Sequence, residues 1–330
     1  MKKLTYKDLL SRVSLKIPLA AVANQVAKEF SLGRVISFKP MLVGYEELNC
    51  LLETSLGRYV IKIFSKNKNL KTIESNVSAI VNFYLGKIPV PKPYKTTSGD
   101  YLYKIKHNPK TYLVVMDYFN GSKFTEITPT RKDFLSLTKI LAKIHNLSFN
   151  TNANYDIWLT AHLLEQFKDK KKYLTKEDYI LMKPVINNLR KIDYHKLTKS
   201  IVHFDLHREN ALKNSEGEYA ILDLASCDYS YTVFDLGTFI GLFCFDATKL
   251  PSENLRIYSQ VLKTYLKQRK LSAYDITILP LTIKGIFAAN LLISSYLQKS
   301  GKDENPEQTI YYKSLGRNGL KMLARIADFN

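Results

Sequence analysis

The strongest constraint on the fold is a change in the apolar pattern near residues 117–121. Before this point the chain has short β-like runs such as 58–64, which would place Tyr59, Ile61 and Ile63 on one face of a strand. From Pro129 onward they recur at helical spacing, as in 134–145. The chain has 330 residues, which exceeds one ordinary core of ~100–200 residues. The sequence therefore predicts two lobes, the first rich in strands and the second mainly helical.

The first lobe is predicted to contain two helices and five strands. Helical spacing of apolar residues predicts helices over residues 19–31 and 72–85. Ser55-Leu56-Gly57 has the length of a hairpin loop and separates two of the strand-like runs. The strands are predicted over residues 35–38, 48–54, 58–64, 101–106 and 111–118.

The net charge is strongly positive, with 49 Lys and Arg against 30 Asp and Glu, which gives +19. This charge favours polyanionic partners in general. The lysines are scattered, however, apart from the run 168–172, and no zinc-finger or arginine-rich signature accompanies them. We therefore expect no specific nucleic-acid partner.

Cysteine usage and the apolar segments bear on localisation. Three cysteines, with no C-x-x-C pair, disfavour a disulfide scaffold or a cysteine zinc site and fit a reducing compartment. The N-terminus lacks the continuous apolar stretch of a secretory signal. The apolar segment 279–297 contains Lys284 and Asn290, which favours a buried helix over a membrane span. We expect a cytoplasmic protein with no membrane partner.

The segment 201–210 (IVHFDLHREN) carries the clearest chemical pattern. Phosphoryl transfer to an alcohol needs a carboxylate that orients the hydroxyl and accepts its proton. Asp205 fits this role, because it follows an apolar pair and precedes Asn210 by five positions. A second carboxylate, Asp223, ends the apolar run 219–223. This order of residues predicts a catalytic loop followed by a metal-binding strand end.

The same reaction needs oxygen ligands for Mg²⁺ and a cation for the nucleotide phosphates. Asn210 and Asp223 supply an amide oxygen and a carboxylate, which are ligands that Mg²⁺ prefers. Lys62, in the strand-like run YVIKIF, fits the phosphate role. The sequence thus contains the residue types of a kinase site in the order Lys, Asp, Asn, Asp.

His203, Asp205 and Asn210 match the motif H-x-D-x-x-x-x-N, and Asp223 matches the metal-binding aspartate that follows it. The chain therefore resembles the protein-kinase-like superfamily that includes aminoglycoside phosphotransferases, choline kinases and homoserine kinases. Within it, the chain is most similar to bacterial homoserine kinases of the aminoglycoside-phosphotransferase type, over most of residues 25–300. The resemblance implies a two-lobed α+β protein-kinase-like fold. It has an antiparallel-sheet N-lobe for the nucleotide over residues 1–117 and a mainly helical C-lobe over 118–330.

The resemblance also implies ATP and Mg²⁺ as cofactors and gives roles to supporting residues. His203 and Asp235 would brace the catalytic loop. The hinge-like run LVVMDYFNG would bind adenine through the carbonyl of Asp117 and the amide of Phe119. Gly44 would lie in the turn that covers the phosphates.

Lys62 should have a glutamate partner from the next helix, according to the same resemblance. Glu74 is the only acidic residue between Lys62 and Asp100, so it is the predicted partner. Trp158 and Tyr155 could bind a cationic substrate by cation–π contact, although an ordinary place in the lobe core is the simpler interpretation.

The predicted acceptor is a small-molecule alcohol that bears an amine, with homoserine as the first compound to test. The short interval from Asp223 to Asp235 leaves no room for a peptide-docking segment, which argues against a protein kinase. Homoserine kinases tend to carry arginines in the late helix, and none occurs between Arg269 and Arg317. An aminoglycoside- or choline-type kinase and a catalytically silent binding protein therefore stay open as alternatives. Candidate carboxylates for the amine are Asp228, Asp246 and Glu253.

Overall fold

A computed structural model describes residues 5–41, 46–108, 110–151, 156–303 and 305–326. The chain divides into two compact units. The first comprises Met1–Gly121 and Leu212–Leu222, and the second comprises Ser122–Ala211 and Asp223–Asn330. The lobe boundary predicted after residue 117 differs from this division in two ways. The first unit extends to Gly121, and it also includes the later segment Leu212–Leu222.

The first unit is built on a five-stranded antiparallel sheet, which confirms the predicted fold class. The strands lie in the order β1-β2-β3-β5-β4. A tight hairpin joins β2 and β3 and pairs Thr54 with Gly57. The elements of this unit up to Gly121 are α1 (Tyr6–Ser11), α2 (Leu19–Glu29), β1 (Val35–Pro40), β2 (Leu48–Thr54), β3 (Gly57–Ile63), α3 (Leu70–Leu85), β4 (Tyr103–Lys104) and β5 (Tyr112–Asp117).

A buried apolar cluster of the first unit lies on one face of this sheet. Residues of β2 alternate between buried and half-buried, so Leu48, Cys50 and Leu52 face inward. Val22 and Val26 of α2 belong to the same buried cluster. This period-2 burial is the reason why the strands could be located from the sequence.

The rest of the chain is mainly helical. The remaining elements are, in chain order, β6 (Ser122–Lys123), α4 (Arg131–Ile144), α5 (Leu163–Lys170), α6 (Lys176–Leu189), β7 (Lys199–Val202), β8 (Ala211–Lys213), β9 (Tyr219–Ile221), β10 (Asp228–Tyr231), α7 (Thr232–Thr238), α8 (Pro251–Leu266), α9 (Ala273–Ser300) and α10 (Pro306–Leu323). A π-helical turn over Phe239–Cys244 extends α7. β9 and most of β8 belong to the first unit, where the Ile221 N–H donates to the Pro89 carbonyl at 2.7 Å.

The centre of the second unit is α9. This 28-residue helix is long and apolar enough to cross a membrane, but 72% of its most apolar window is buried within the protein. It packs against α10, α7 and α6. Its burial is that of a core helix, in agreement with the interpretation of residues 279–297 from the sequence.

Candidate active site

The loop that follows β7 carries the predicted catalytic residues. β7 pairs with β10 in antiparallel register, with Val202 opposite Asp228. The chain leaves this pair at His203, and its next residue, Phe204, has a φ of +64°. Left-handed backbone is uncommon for a residue other than glycine and persists only where its surroundings hold it.

Asp235 holds the start of this loop from the first turn of α7. Its carboxylate is fully buried. One oxygen accepts from the His203 N–H at 2.6 Å, and the other accepts from the Phe204 N–H at 3.0 Å. His145 Nε2 lies 3.0 Å from the same carboxylate. Asp235 therefore satisfies two buried backbone donors, as a brace of the loop would.

The His203 side chain acts within its own loop. Its ring is buried, and Nδ1 accepts a hydrogen bond from the Asp205 N–H at 3.1 Å. This contact orients the backbone that carries Asp205 and leaves the imidazole without access to solvent. The position fits the supporting role given to His203.

Asp205, His207 and Asn210 form a connected group. The Asn210 side-chain amide donates to Asp205 Oδ2 at 2.7 Å and to the Asp205 carbonyl at 3.0 Å. The other carboxylate oxygen, Oδ1, lies 3.2 Å from His207 Nε2. The Asp205 side chain nevertheless keeps 38% of its surface exposed. It is thus fixed on both oxygens and still accessible to a small hydroxyl compound.

Electrostatics place Asp223 close to this group. Burial alone would lower the pKa of His207, but the negative charges of Asp205, Glu209 and Asp223 outweigh burial and raise it above its usual value. Asp223 is exposed, and its φ of +55° marks a sharp turn directly after the β9 segment. The strand-end carboxylate predicted from the sequence is therefore an exposed group near the catalytic loop.

The donor set fits a magnesium ion that also binds phosphate. Because the Asn210 amide nitrogen points toward Asp205, its amide oxygen is turned away from that carboxylate. This oxygen and the exposed carboxylate of Asp223 are ligands of the type that Mg²⁺ takes. Within the described ranges, no group of three or more His, Cys, Asp or Glu could hold a metal alone. A magnesium site completed by phosphate oxygens and water needs no such group.

In the first unit, Lys62 lies on β3 and is largely buried. Its ammonium is 3.8 Å from Glu47 Oε2. Glu74, the predicted partner, is exposed on α3 and makes no ion pair among the described residues. The prediction for Glu74 is corrected accordingly: the α3 residues around it, such as Ile73 and Val77, face the core, and Glu74 faces solvent.

The remaining nucleotide-site predictions fall on β5 and on the turn before β2. The Asp117 N–H donates to the Lys92 carbonyl at 2.9 Å, and its carboxylate accepts from Tyr94 at 2.7 Å. The Phe119 N–H donates to no other residue in the part of the chain that the structure describes, so it can serve a ligand. Gly44 lies outside the described residues.

A small recess beside Asp205 supplies residues that the sequence analysis did not select. Glu209, His207 and Tyr312 contribute to its wall, which is also lined by Thr125, Arg208, Leu242, Tyr311 and Leu315. Burial raises the pKa of Tyr312 well above its usual value, and the negative charges of Glu209 and Asp205 add to this effect. Only the position of Glu209 inside the H-x-D-x-x-x-x-N motif could have indicated its place here.

Aromatic rings extend this wall. The Tyr312 ring lies 6.2 Å from the His207 ring and 5.7 Å from the Trp158 ring, between centroids. Trp158 is half-buried rather than part of a closed core. Tyr155, its predicted companion, lies outside the described residues.

The three candidate carboxylates for a substrate amine each accept hydrogen bonds from nearby groups. Asp228 accepts from Thr151 and from the Tyr229 N–H. Asp246 accepts from the Thr248 backbone and side chain. Glu253 accepts from the Leu250 N–H at the start of α8. Glu209 lines the recess, whereas none of these three carboxylates does.

Comparison with known proteins gives the family of the chain. A family model described as "Phosphotransferase enzyme family" matches residues 37–269, which is more than half of the chain. The chain belongs to this family, and the predicted class of a phosphotransferase that acts on alcohol groups is confirmed.

Individual relatives are distant. A homoserine kinase from Nitrobacter winogradskyi is 20% identical over 265 residues, which cover 78% of each protein. The crystal structure of spectinomycin phosphotransferase, in complex with ADP and spectinomycin, has a TM-score of 0.67 at 13% identity and covers 93% of this chain and 99% of its own. A microcompartment-associated aminopropanol kinase has a TM-score of 0.68 at 16% identity, with coverages of 91% and 95%. At these identities the solved structures establish the fold alone.

The bracing role of Asp235 leads to a stability prediction. Replacement by alanine leaves the buried N–H groups of His203 and Phe204 without an acceptor, and each such group costs about 1–3 kcal/mol. We expect Asp235→Ala to lower the melting temperature markedly. Asp223→Ala, which removes an exposed side chain, should serve as a control with little change. A stable Asp235→Ala protein that has lost only metal-dependent nucleotide binding would contradict this assignment.

Proposed function

We propose that this phosphotransferase transfers the γ-phosphate of ATP, with Mg²⁺, to the hydroxyl of a small amine-bearing molecule. The observation that carries the proposal is the arrangement of Asp205. Both of its carboxylate oxygens are held by side chains of its own loop, and it keeps enough exposure to meet a hydroxyl group. A base that is positioned in advance needs no reorganisation when the acceptor arrives.

The chain's own residues then have separate tasks. Asp205 orients the acceptor hydroxyl and accepts its proton as the new phosphate ester forms. Asn210 and Asp223 hold the metal ion, which neutralises charge on the phosphates when bound. Lys62 binds the phosphates, and the Phe119 N–H binds the adenine. Because no covalent intermediate is required, catalysis rests on positioning and electrostatics.

Homoserine is the first acceptor that we propose. The curated relatives named homoserine kinases support it, although their identity to this chain is low, at 20% and 23% for the first two. Homoserine carries an ammonium group and a hydroxyl on a short chain. We propose that the carboxylate of Glu209, four residues after Asp205 in the same loop, pairs with the ammonium while the hydroxyl meets Asp205. We also propose that the reaction takes place in the cytoplasm.

An amino-alcohol or choline-type acceptor is the second candidate. His207 contacts Asp205, and the rings of Tyr312 and Trp158 follow it at centroid distances of 6.2 and 5.7 Å. Aromatic faces attract ammonium and quaternary ammonium groups. A silent binding protein is disfavoured, because Lys62, Asp205 and Asp223 are all present. The choice between acceptors is decided by measurement of turnover.

An acceptor panel tests the proposal together with Asp205→Asn. ADP release would be followed with homoserine, aminopropanol, choline, an aminoglycoside and a casein-like protein. We expect turnover with one of the small amines and none with protein. Asp205→Asn should lower kcat by about 10²–10⁴, the usual effect of a positioned base, with MgATP affinity unchanged. Equal turnover of both proteins on the accepted substrate, or labelling of proteins alone, would refute the proposal.

The metal assignment makes a separate prediction for Asp223. Asp223→Ala should abolish the dependence of nucleotide affinity on Mg²⁺, because it removes the carboxylate that would hold the metal on the protein. Nucleotide affinity would be measured by calorimetry with Mg²⁺ and with EDTA, and wild-type protein should bind far better with the metal. Asp228→Ala is the matched control, since the Asp228 carboxylate accepts hydrogen bonds from Thr151 and the Tyr229 N–H and has no proposed metal role. A Mg²⁺ response that survives in Asp223→Ala would contradict the assignment.

A further inference from the structure

Glu47 lies at the centre of a buried charge cluster in the first unit. It stands directly before β2, and only 7% of its side chain is exposed. Oε2 faces the Lys62 ammonium at 3.8 Å, and Oε1 accepts a hydrogen bond from the Lys68 ammonium. Lys68 also contacts Glu46, a more exposed residue, at 3.0 Å. Each oxygen of the Glu47 carboxylate is therefore matched with its own lysine.

The sheet register explains why Glu47 can reach Lys62. Asn49 of β2 lies directly opposite Lys62 of β3. Glu47 precedes Asn49 by two positions, so it lies on the same side of the chain and forms the diagonal neighbour of Lys62. Long side chains span this diagonal distance. The contact follows from the hairpin that sets the register of β2 and β3.

Lys68 keeps the Glu47 carboxylate in place. Burial acts to lower the pKa of Lys68, but the charges of Glu47 and Glu46 outweigh it and raise the pKa above its usual value. Lys68 is thus charged at neutral pH, and its short hydrogen bond fixes one oxygen of Glu47. The other oxygen is held toward Lys62.

We propose that Glu47 is the positioning residue for Lys62, in the place that the sequence analysis gave to Glu74. A lysine side chain loses considerable rotamer freedom when its ammonium binds a phosphate. Glu47 restricts that freedom before the nucleotide arrives, so the binding cost is smaller. The inference rests on the proposed function, because it assumes that Lys62 binds the phosphates of ATP.

The test measures MgATP affinity in the full chain without any acceptor. Glu47→Gln keeps the size of the side chain and removes its charge. We expect it to weaken MgATP binding by about tenfold, and to raise the KM for ATP more than it lowers kcat. Glu53→Gln is the matched control, because Glu53 lies on β2, is half-buried and accepts a hydrogen bond from Ser37. Its MgATP affinity should equal that of the wild type.

A double-mutant cycle separates positioning from a structural role. If Glu47 acts through Lys62, then Glu47→Gln should change the affinity of a Lys62→Met protein by less than about twofold, because the coupled partner is already gone. Additive losses in the double mutant would overturn the inference, even if Glu47→Gln also lowers the melting temperature. So would a loss of affinity in Glu74→Gln that exceeds the loss in Glu47→Gln.

Failure of the positioning role of Glu47 can be distinguished from failure of the proposed function. Wild-type protein that binds no MgATP would refute the kinase proposal itself. Wild-type binding that depends on Lys62 but not on Glu47 would refute only the positioning role.

Discussion

The buried carboxylate of Asp235 is the constraint on which the candidate active site depends. Its two oxygens accept hydrogen bonds from two successive backbone N–H groups, that of His203 at 2.6 Å and that of Phe204 at 3.0 Å. Without this acceptor, both donors would be buried without a partner, and Phe204 would lose the contacts that hold it in left-handed backbone. The loop that presents Asp205 is therefore tied to the first turn of α7.

The three carboxylates Asp205, Asp223 and Asp235 differ in how far they are buried. Asp235 has no exposed surface, and its partners among the described residues are the His203 and Phe204 N–H groups and the His145 ring. Asp205 is held by neighbours and yet partly exposed, and Asp223 is exposed at a sharp turn. A carboxylate that must meet substrate or metal has to keep solvent access, whereas one that braces a loop must exclude water. Under the proposed function, the same residue type serves both support and chemistry between Asp205 and Asp235.

The sequence allowed much of the fold to be predicted, because burial alternates with period 2 in β2 and follows helical spacing in α3 and α4. The partner of Lys62 was missed because proximity in sequence favoured Glu74, whereas the partner comes from register across a hairpin. That register was available in principle, since the loop Ser55-Leu56-Gly57 sets Asn49 opposite Lys62. The wall formed by Glu209 and Tyr312 could not be predicted, because it joins residues distant along the chain.

The central claim is that Asp205 serves direct transfer of phosphate to a small alcohol. Phosphorus NMR of a reaction with ATP, Mg²⁺ and homoserine tests it most directly, since it distinguishes a new phosphate ester from free phosphate. The account predicts that ADP and a phosphate monoester on the acceptor hydroxyl form in equal amounts. If the acceptor is an amino alcohol or choline, the same products form with aminopropanol or choline in place of homoserine. ATP consumption that yields inorganic phosphate alone with every acceptor would contradict the account.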